Sequence, residues 1–240
     1  MRVGVTNPSV HFEENLVATF NLLEAMRKSI SAKTIVFAST STIYGEASII
    51  PTPEGYGPLT PISTYGATKL GCEALITSYV HTFNLRALIL RLANVVGPRS
   101  NHGVIYDFIQ KLQKDPTRLE ILGDGNQQKS YMHIDDCIDA ILHATKTFLK
   151  SNKKADIYNI GSADQITVKT IAKIIAEEMK LTNVEFHFSG GVNGGRGWKG
   201  DVKNMHLSIE KLAKTAWKPK CNSEQAIRLA VRSILNEKIT

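Results

Sequence analysis

The hydrophobic and polar positions of the first hundred residues alternate between helical and extended patterns. Apolar side chains recur every three or four positions over residues 9–29 and again over residues 64–82, which predicts two helices. Residues 33–39 and 86–92 form short, almost uninterrupted apolar runs, which predict two buried strands. Alternating helices and buried strands are typical of a parallel α/β sheet covered by helices on both faces.

The second half of the chain continues in shorter elements. The pattern predicts helices at residues 104–113, 136–148, 168–179, 208–214 and 223–236, and strands at residues 119–122, 156–160 and 184–188. Residues 189–200 contain six glycines and no periodicity, which predicts a loop long enough to be functional or mobile. We therefore expect one α/β domain over residues 1–98 and a second, C-terminal α/β lobe over residues 99–240, with residues 133–161 returning to the first sheet.

The composition is that of a water-soluble globular protein. Of 240 residues, 42% are hydrophobic and 21% are charged, which excludes a disordered chain, a collagen and a coiled coil. The sequence contains no long apolar run and no secretion signal, so we expect a cytoplasmic protein without membrane contact. Three cysteines without a C-x-x-C pair favour reduced thiols, and we expect no metal site.

The charge of the chain is mildly basic. The 29 basic side chains against 22 acidic ones give a net charge of +7, which is compatible with an anionic ligand. The lysines are spread from Lys28 to Lys238, and no nucleic-acid-binding motif accompanies them. Solvated faces therefore explain the surplus, and we expect no nucleic-acid partner.

Tyr65 and Lys69 are the first candidates for chemistry. They stand four residues apart on a predicted helix, so the phenol and the ammonium group lie on one face. A nearby positive charge favours the phenolate and lowers the pKa of a tyrosine from about 10 toward the range of a general acid/base. This spacing often arises by chance, so the surrounding sequence has to support the assignment.

A run of hydroxyl residues follows the first predicted strand. Residues 38–45 read Ala-Ser-Thr-Ser-Thr-Ile-Tyr-Gly and lie at the carboxyl edge of the sheet, where ligands bind in open α/β folds. The same hydroxyl groups are suited to capping a turn, so the run by itself leaves both interpretations open.

Six ordered motifs extend across nearly the whole chain. They are residues 15–19, 39–45, 65–69, 91–98, 123–125 with the following Asp136, and 158–161. Together they resemble the NAD-dependent sugar-nucleotide epimerases and dehydratases of the extended short-chain dehydrogenase group. The resemblance implies that residues 1–98 are the remnant of a Rossmann-type, cofactor-binding parallel sheet. It also implies that residues 99–240 are mainly a lobe that binds a nucleotide sugar.

The resemblance implies NAD as the cofactor and inversion at C4 of a nucleotide sugar of the UDP-glucose/UDP-galactose type, through a transient 4-keto sugar. Tyr65 as phenolate would remove the proton from the sugar 4-hydroxyl, and Thr40 would hydrogen-bond the same oxygen. Lys69 would hold the nicotinamide ribose and keep Tyr65 acidic.

Further contacts are implied by the same resemblance. The implied cofactor contacts, besides Tyr65 and Lys69, are Asn15, Ser39 and Leu92. The implied substrate contacts, besides Thr40, are Asn94, Lys129, Arg196 and Asp201.

Plainer interpretations of three of these contacts stay open. Asn15 is also suited to packing between helices, and Asn94 to a turn. Lys129 replaces the family's usual Arg and cannot form a bidentate clamp on phosphate, so a plain surface lysine is the alternative. Trp198 stands where an Arg is expected, and Arg196 is the candidate to replace it.

Ser41 and Thr42 favour epimerisation over dehydration. The related dehydratases carry an Asp-Glu pair directly after the equivalent of Thr40, because loss of water needs its own acid and base. A dehydratase or reductase of the same family, and a non-catalytic protein that binds a nucleotide sugar, remain the alternatives.

The family's glycine-rich turn, which receives the dinucleotide pyrophosphate, is not found in this sequence. Residues 1–8 contain a single glycine, and the helix at residues 9–29 corresponds to one well inside the family's cofactor domain. By that comparison roughly a quarter of a full-length relative is lacking. We therefore expect a fragment with weakened NAD binding and an exposed strand edge at residues 35–38.

Relatives commonly dimerise through the helices equivalent to residues 9–29 and 64–82, so we expect a homodimer.

Overall fold

The computed structural model describes residues 6–192 and 194–237, which fall into two compact units. Unit 1 consists of Met1–Leu92, Ala140–Ile160 and Ser208–Lys218. Unit 2 consists of Ala93–Asp139, Gly161–Leu207 and Pro219–Thr240.

Helices and strands alternate along most of the chain. The helices are α1 (Pro8–His11), α2 (Ala18–Lys28), α3 (Thr64–Phe83), α4 (Val104–Lys114), α5 (Ile134–Lys150), α6 (Val168–Glu178), α7 (Glu210–Ala213) and α8 (Ser223–Glu237). A π-helical segment, Phe12–Val17, joins α1 to α2, and a 3-10 turn, Ser41–Tyr44, follows β1. The strands are β1 (Thr34–Thr40), β2 (Arg86–Leu92), β3 (Asn94–Val96), β4 (Arg118–Ile121), β5 (Gln128–Lys129), β6 (Tyr131–His133), β7 (Ala155–Ile160), β8 (Ile166–Thr167), β9 (Glu185–Phe188) and β10 (Asn204–Met205).

Unit 1 is built on a parallel sheet with the strand order β1-β2-β7, which confirms the predicted α/β fold class. The central strand β2 is apolar and buried at four consecutive positions, residues 87–90, as expected of a strand with a neighbouring strand on each side. In the described residues β1 pairs with β2 alone, and Val36 on β1 is 39% exposed. Within the described residues, one edge of β1 therefore has no strand beside it.

Helix α3 packs against β1 and β2 and carries the first candidate residues. The Ser63 hydroxyl caps its first turn by accepting a hydrogen bond from the Gly66 backbone N–H at 3.1 Å. The helix ends at Asn84, whose φ of 55° is the left-handed conformation common at a helix C-terminus. The buried side chains between α2, α3 and the sheet are Leu23, Met26, Ile35, Ile76, Tyr79, Val80, Leu85, Ala87 and Ile89.

Unit 2 holds a separate hydrophobic core. Helix α4 contributes one amphipathic stripe at three- and four-residue spacing, formed by Ile105, Phe108, Ile109 and Leu112. This stripe packs with α6 and α8 beside short strand pairs: β3 with β6, β4 with β9, and β5 with β8 and β10. The unit is thus a second α/β structure with its own apolar interior.

The domain bounds differ from the prediction in three places. Residues 93–98 belong to unit 2, because β3 pairs with β6 there. Residues 133–139 also belong to unit 2, and only the part of α5 from Ala140 onward joins unit 1. Ser208–Lys218 belongs to unit 1, because α7 packs against β7.

No helix within the described ranges is both long and apolar enough to span a bilayer. The predicted helix over residues 9–29 is helical as far as Lys28, but its hydrogen-bonding pattern changes twice, at Phe12 and at Ala18. Periodicity alone does not distinguish these patterns, because all of them repeat an apolar face within three to five residues.

Gly45 ends the 3-10 turn after β1 in a conformation that only glycine adopts easily, with φ 63° and ψ −137°. A Cβ atom at this position would overlap the backbone carbonyl oxygen of Thr60. We expect Gly45→Ala to lower the free energy of unfolding by about 1–3 kcal/mol or more, as measured by urea denaturation. Gly55→Ala is the matched control, since a Cβ there meets nothing within 4 Å, and equal stability of the two variants would contradict the prediction.

Candidate active site

Helix α3 brings Tyr65 and Lys69 to the carboxyl end of β1, as the hydroxyl run and the helical spacing predict. Thr40, the last residue of β1, is buried and hydrogen-bonds the Tyr65 phenol. The Lys69 Nζ donates to the backbone carbonyl of Ala38 at 2.9 Å and lies 4.6 Å from the centre of the Phe37 ring. The three predicted catalytic side chains therefore meet in unit 1, at the edge of the sheet where parallel strands end.

The electrostatics of this cluster differ from the sequence-based expectation. Burial raises the pKa of Tyr65, and the hydrogen bond with Thr40 opposes that rise. Burial lowers the pKa of Lys69, and the nearby Cys72 and Glu73 act in the opposite direction. The groups that shift the Tyr65 pKa do not include Lys69, whose ammonium donates to the Ala38 carbonyl.

The other implied cofactor contacts occupy the same part of unit 1. Leu92 ends β2 and is the register partner of Thr40. The Ser39 hydroxyl is buried and donates to the Glu73 carboxylate at 2.5 Å. The Asn15 amide donates to the Thr68 hydroxyl at 3.1 Å, so it packs the π-helical segment against α3.

Ser41 and Thr42 form the 3-10 turn directly after Thr40. The Thr40 hydroxyl accepts a hydrogen bond from the Thr42 backbone N–H at 3.2 Å, and the two threonine hydroxyls lie 3.1 Å apart. The hydroxyl run thus serves both interpretations, because Thr40 caps the turn and also reaches Tyr65.

Apart from Thr40, the implied substrate contacts lie in unit 2. Lys129 on β5 forms a salt bridge with Asp201, and both side chains are largely buried. This contact joins positions that are 72 residues apart in the sequence. The Asn94 amide donates to the Ser130 backbone carbonyl at 3.2 Å, which fixes it between β3 and the segment before β6.

Arg196 lies in the glycine-rich loop that the sequence predicts over residues 189–200. The loop folds back on itself through two backbone hydrogen bonds between Val192 and Arg196, each 2.9 Å long. Lys203 anchors it by donating to the Gly194 carbonyl at 2.7 Å and to the Asp124 carboxylate at 3.0 Å. These contacts hold Arg196 and the described residues beside it against Asp124 and Lys203.

Three residues near the cluster were missed by the sequence analysis. Glu73 lies one turn after Lys69 on α3 and forms a buried ion pair with Arg91 of β2, with an N–O distance of 2.7 Å. Its spacing from Lys69, inside an apolar stretch, was the available signal. His11 places its ring edge-on to the Tyr65 ring, with centroids 5.5 Å apart, and nothing in its local sequence marks that contact.

Comparison with known proteins identifies the family. Residues 1–161 match the model of the NAD dependent epimerase/dehydratase family. The chain belongs to this family.

Relatives and solved structures support the same assignment. The chain is 30% identical to the UDP-glucuronate 4-epimerase of Thermodesulfobacterium geofontis, over 96% of this chain and 68% of that protein. It is 42% identical to a UDP-galactose 4-epimerase of known crystal structure, with a TM-score of 0.88, and covers 75% of it. It is 31% identical to the Thermus thermophilus UDP-glucose 4-epimerase solved with NAD, with a TM-score of 0.80 over 96% of this chain and 73% of that one.

The residues of the cluster fit one end of the family's cofactor. An ammonium group and two hydroxyl groups stand together at the carboxyl edge of the parallel sheet, and these are donors suited to the ribose hydroxyls beside nicotinamide. The described residues include no glycine-rich strand-to-helix turn that would receive the pyrophosphate. The fit therefore concerns the nicotinamide ribose, through Tyr65 and Lys69.

Burial and the hydrogen bond with Thr40 act in opposite directions on the pKa of Tyr65, and this gives a testable prediction. Tyr65 should titrate above the usual value of about 10, because its environment disfavours the phenolate. Thr40→Val should raise the pKa further, since it removes the hydrogen bond that stabilises the anion, whereas Thr40→Ser should preserve the wild-type value. The pKa is measured from the Cζ chemical shift of ¹³C-labelled tyrosine, with Tyr65→Phe assigning the signal. A lower pKa in Thr40→Val than in the wild-type chain would show that Thr40 does not have this role.

Proposed function

We propose that this chain carries the catalytic part of an NAD-dependent epimerase that inverts C4 of a nucleotide sugar of the UDP-glucose/UDP-galactose type. The observation that carries the proposal is the meeting of Thr40, Tyr65 and Lys69 at the carboxyl end of β1. Family membership and the 4-epimerases among its relatives support the reaction type.

In the proposed mechanism Tyr65 is the acid/base that handles the proton of the sugar 4-hydroxyl. The Thr40 hydroxyl hydrogen-bonds the same oxygen and holds it toward the phenol. Lys69 and Tyr65 hold the nicotinamide ribose, and NAD, when bound, supplies hydride transfer to and from C4. Burial disfavours the phenolate, and the hydrogen bond with Thr40 offsets part of that effect on Tyr65. Tyr65 then returns the proton to the inverted oxygen.

The turn after Thr40 supports epimerisation rather than elimination of water. Ser41 and Thr42 provide hydroxyl groups, and the Thr42 hydroxyl is engaged with Thr40. No carboxylate occupies either position, so the second acid and base that dehydration needs are not supplied there. Incubation with several nucleotide sugars, followed by product analysis, separates a C4 epimer from a dehydrated or reduced sugar.

A non-catalytic protein that binds a nucleotide sugar is the second candidate. The raised pKa of Tyr65 favours it, because a neutral phenol does not remove a proton from an alcohol. The two candidates differ in what the Tyr65 hydroxyl does, and this difference can be measured.

Tyr65→Phe should reduce turnover of the nucleotide sugar by about a hundredfold or more and leave its binding within a few-fold of the wild-type value. The ring and its contact with His11 remain, whereas the ionisable oxygen is lost. Turnover is measured with NAD supplied, and binding is measured by calorimetry. Unchanged turnover in Tyr65→Phe would favour the non-catalytic candidate.

A second set of variants tests binding of the nucleotide sugar through the proposed contacts in unit 2. Lys129→Gln combined with Asp201→Asn neutralises both partners, so neither is left as an unpaired buried charge. We expect the affinity for the nucleotide sugar to fall about 10- to 100-fold, since a charge-assisted hydrogen bond contributes about 1.5–3 kcal/mol. The turnover number at saturation should change much less. Lys111→Gln with Asp107→Asn, an ion pair on α4 of the same unit, is the matched control pair, with binding close to wild type.

We also propose a homodimer formed through the helices of unit 1 that the resemblance implicates. Phe12, Phe20 and Leu22 are each about half exposed, and Phe83 at the end of α3 is 40% exposed. Light scattering after size exclusion should give twice the chain mass of 26.5 kDa. Phe20→Glu should halve the observed mass, whereas Leu149→Glu, an equally exposed position on α5, should not.

A further inference from the structure

Three residues of α3 share one face and contact three consecutive residues of β1. Tyr65 meets the Thr40 hydroxyl, and Lys69 donates to the Ala38 carbonyl at 2.9 Å. Glu73, two turns after Tyr65, accepts the Ser39 hydroxyl at 2.5 Å. The catalytic helix and the catalytic strand are therefore joined at every residue from 38 to 40.

Of these three contacts, the one at Glu73 is also held by a residue of a neighbouring strand, β2. The guanidinium of Arg91 on β2 donates to both Glu73 oxygens, with distances of 2.7 to 3.3 Å. Arg91 is the register partner of Ser39 on the neighbouring strand, so the carboxylate lies above two paired strands. Both charged side chains are only 5% exposed.

Arg91 extends the same network to the turn beyond Thr40. Its Nη1 donates to the Tyr44 hydroxyl at 2.8 Å and to the Glu54 carbonyl at 2.9 Å. The Tyr44 hydroxyl in turn donates to the Asn159 amide oxygen on β7 at 2.8 Å. Thr40 is thus flanked by held residues on both sides, Ser39 before it and Tyr44 after it.

The main effect of this network is on the geometry of the site and not on the stability of the fold. A buried ion pair contributes little net stability, and apolar side chains of similar size often replace one without loss. Its hydrogen bonds are directional, however, and they fix both the rotation of α3 and the position of the end of β1. An apolar contact is not directional, so it would not fix the rotation of α3 relative to the end of β1.

Building on the function proposed above, we propose that Glu73 is a positioning residue: held by Arg91, it aligns the end of β1 with α3 so that the Thr40 hydroxyl meets the Tyr65 phenol. Its negative charge also favours the ammonium form of Lys69, against the effect of burial on that group. Glu73 acts through Ser39, Thr40 and Lys69 and needs no contact with the substrate.

The first test is a thermodynamic cycle on the Tyr65 pKa, which needs neither NAD nor turnover. In the wild-type chain, Thr40→Val raises the pKa of Tyr65 because their hydrogen bond is lost. In a Glu73→Gln background, Thr40→Val should shift that pKa by less than half as much, since the hydroxyl no longer meets the phenol. An undiminished shift would overturn the proposal, whether or not the chain is an epimerase.

The second test separates positioning from stability. Glu73→Gln should lower kcat about 10- to 100-fold and change KM less than threefold, while leaving the Arg91 charge buried and unpaired. Glu73→Gln with Arg91→Met removes that charge, so stability to urea should recover. Continued low kcat in this stable double variant supports positioning, whereas recovery of kcat along with stability would overturn it.

Two further variants keep the tests interpretable. Ser39→Ala removes only the contact between the strand and Glu73, so it should weaken the coupling of Thr40 with Tyr65 even if Glu73→Gln does not fold. Asp136→Asn is the control, a buried carboxylate of unit 2 that accepts the Lys220 and Cys221 backbone N–H groups at 3.0 Å. It should leave the Tyr65 pKa and kcat unchanged, and a loss of coupling equal to that of Glu73→Gln would show that the effect is not specific.

Discussion

The alignment of helix α3 with the carboxyl end of β1 is the constraint on which the candidate site depends. The parallel sheet brings the ends of its strands to one edge, but it does not determine which residues of a helix face that edge. The Ser63 cap determines where α3 begins, and its 3.6-residue repeat then places positions four apart on one face. Lys69 and Glu73 turn this geometric relation into hydrogen bonds with Ala38 and Ser39.

Burial opposes the charged forms of both ionisable side chains in this site. It raises the pKa of Tyr65 and lowers the pKa of Lys69, so both neutral forms are favoured. The site compensates with partners that favour the charged forms: Thr40 acts on the phenol and Glu73 acts on the ammonium. Each of these interactions acts over a few ångströms, so its effect on the pKa depends on how α3 is aligned with β1. The same alignment therefore determines both the position and the protonation of the two side chains.

The sequence predicts the long elements of the fold well and its short ones poorly. The predicted strand at residues 86–92 has the observed bounds, because a continuous apolar run marks it. The helix predicted at residues 64–82 ends one residue later than predicted, and apolar spacing with a capping residue marks it. Strands β5, β8 and β10 have two residues each, so they contain no periodicity that a sequence could reveal. Their positions depend on pairing between distant segments, which only the folded chain determines.

The candidate site shows the same limit. Tyr65 and Lys69 follow from helical spacing and Thr40 from the family motif, so the catalytic cluster could be proposed before the structure. The pairing of Glu73 with Arg91 could not, because it joins a helix to a strand across the sheet. The direction of the Tyr65 pKa was also out of reach, since it depends on how deeply the phenol is buried.

The contact between Lys129 and Asp201 suggests how unit 2 can remain stable without a ligand and still bind an anion. An unpaired Lys129 would be a partly buried charge, and Asp201 satisfies it within the unit. On the proposed function, a ribose hydroxyl donating to Asp201 and a phosphate oxygen accepting from Lys129 would replace one internal ion pair with two ligand contacts. After this exchange Lys129 still has an anionic partner and the Asp201 carboxylate still accepts a hydrogen bond, so the cost of binding is smaller than the separation of a buried pair would suggest. Lysine suits such an exchange because its single ammonium turns readily between partners, whereas a bidentate arginine would hold the carboxylate more firmly.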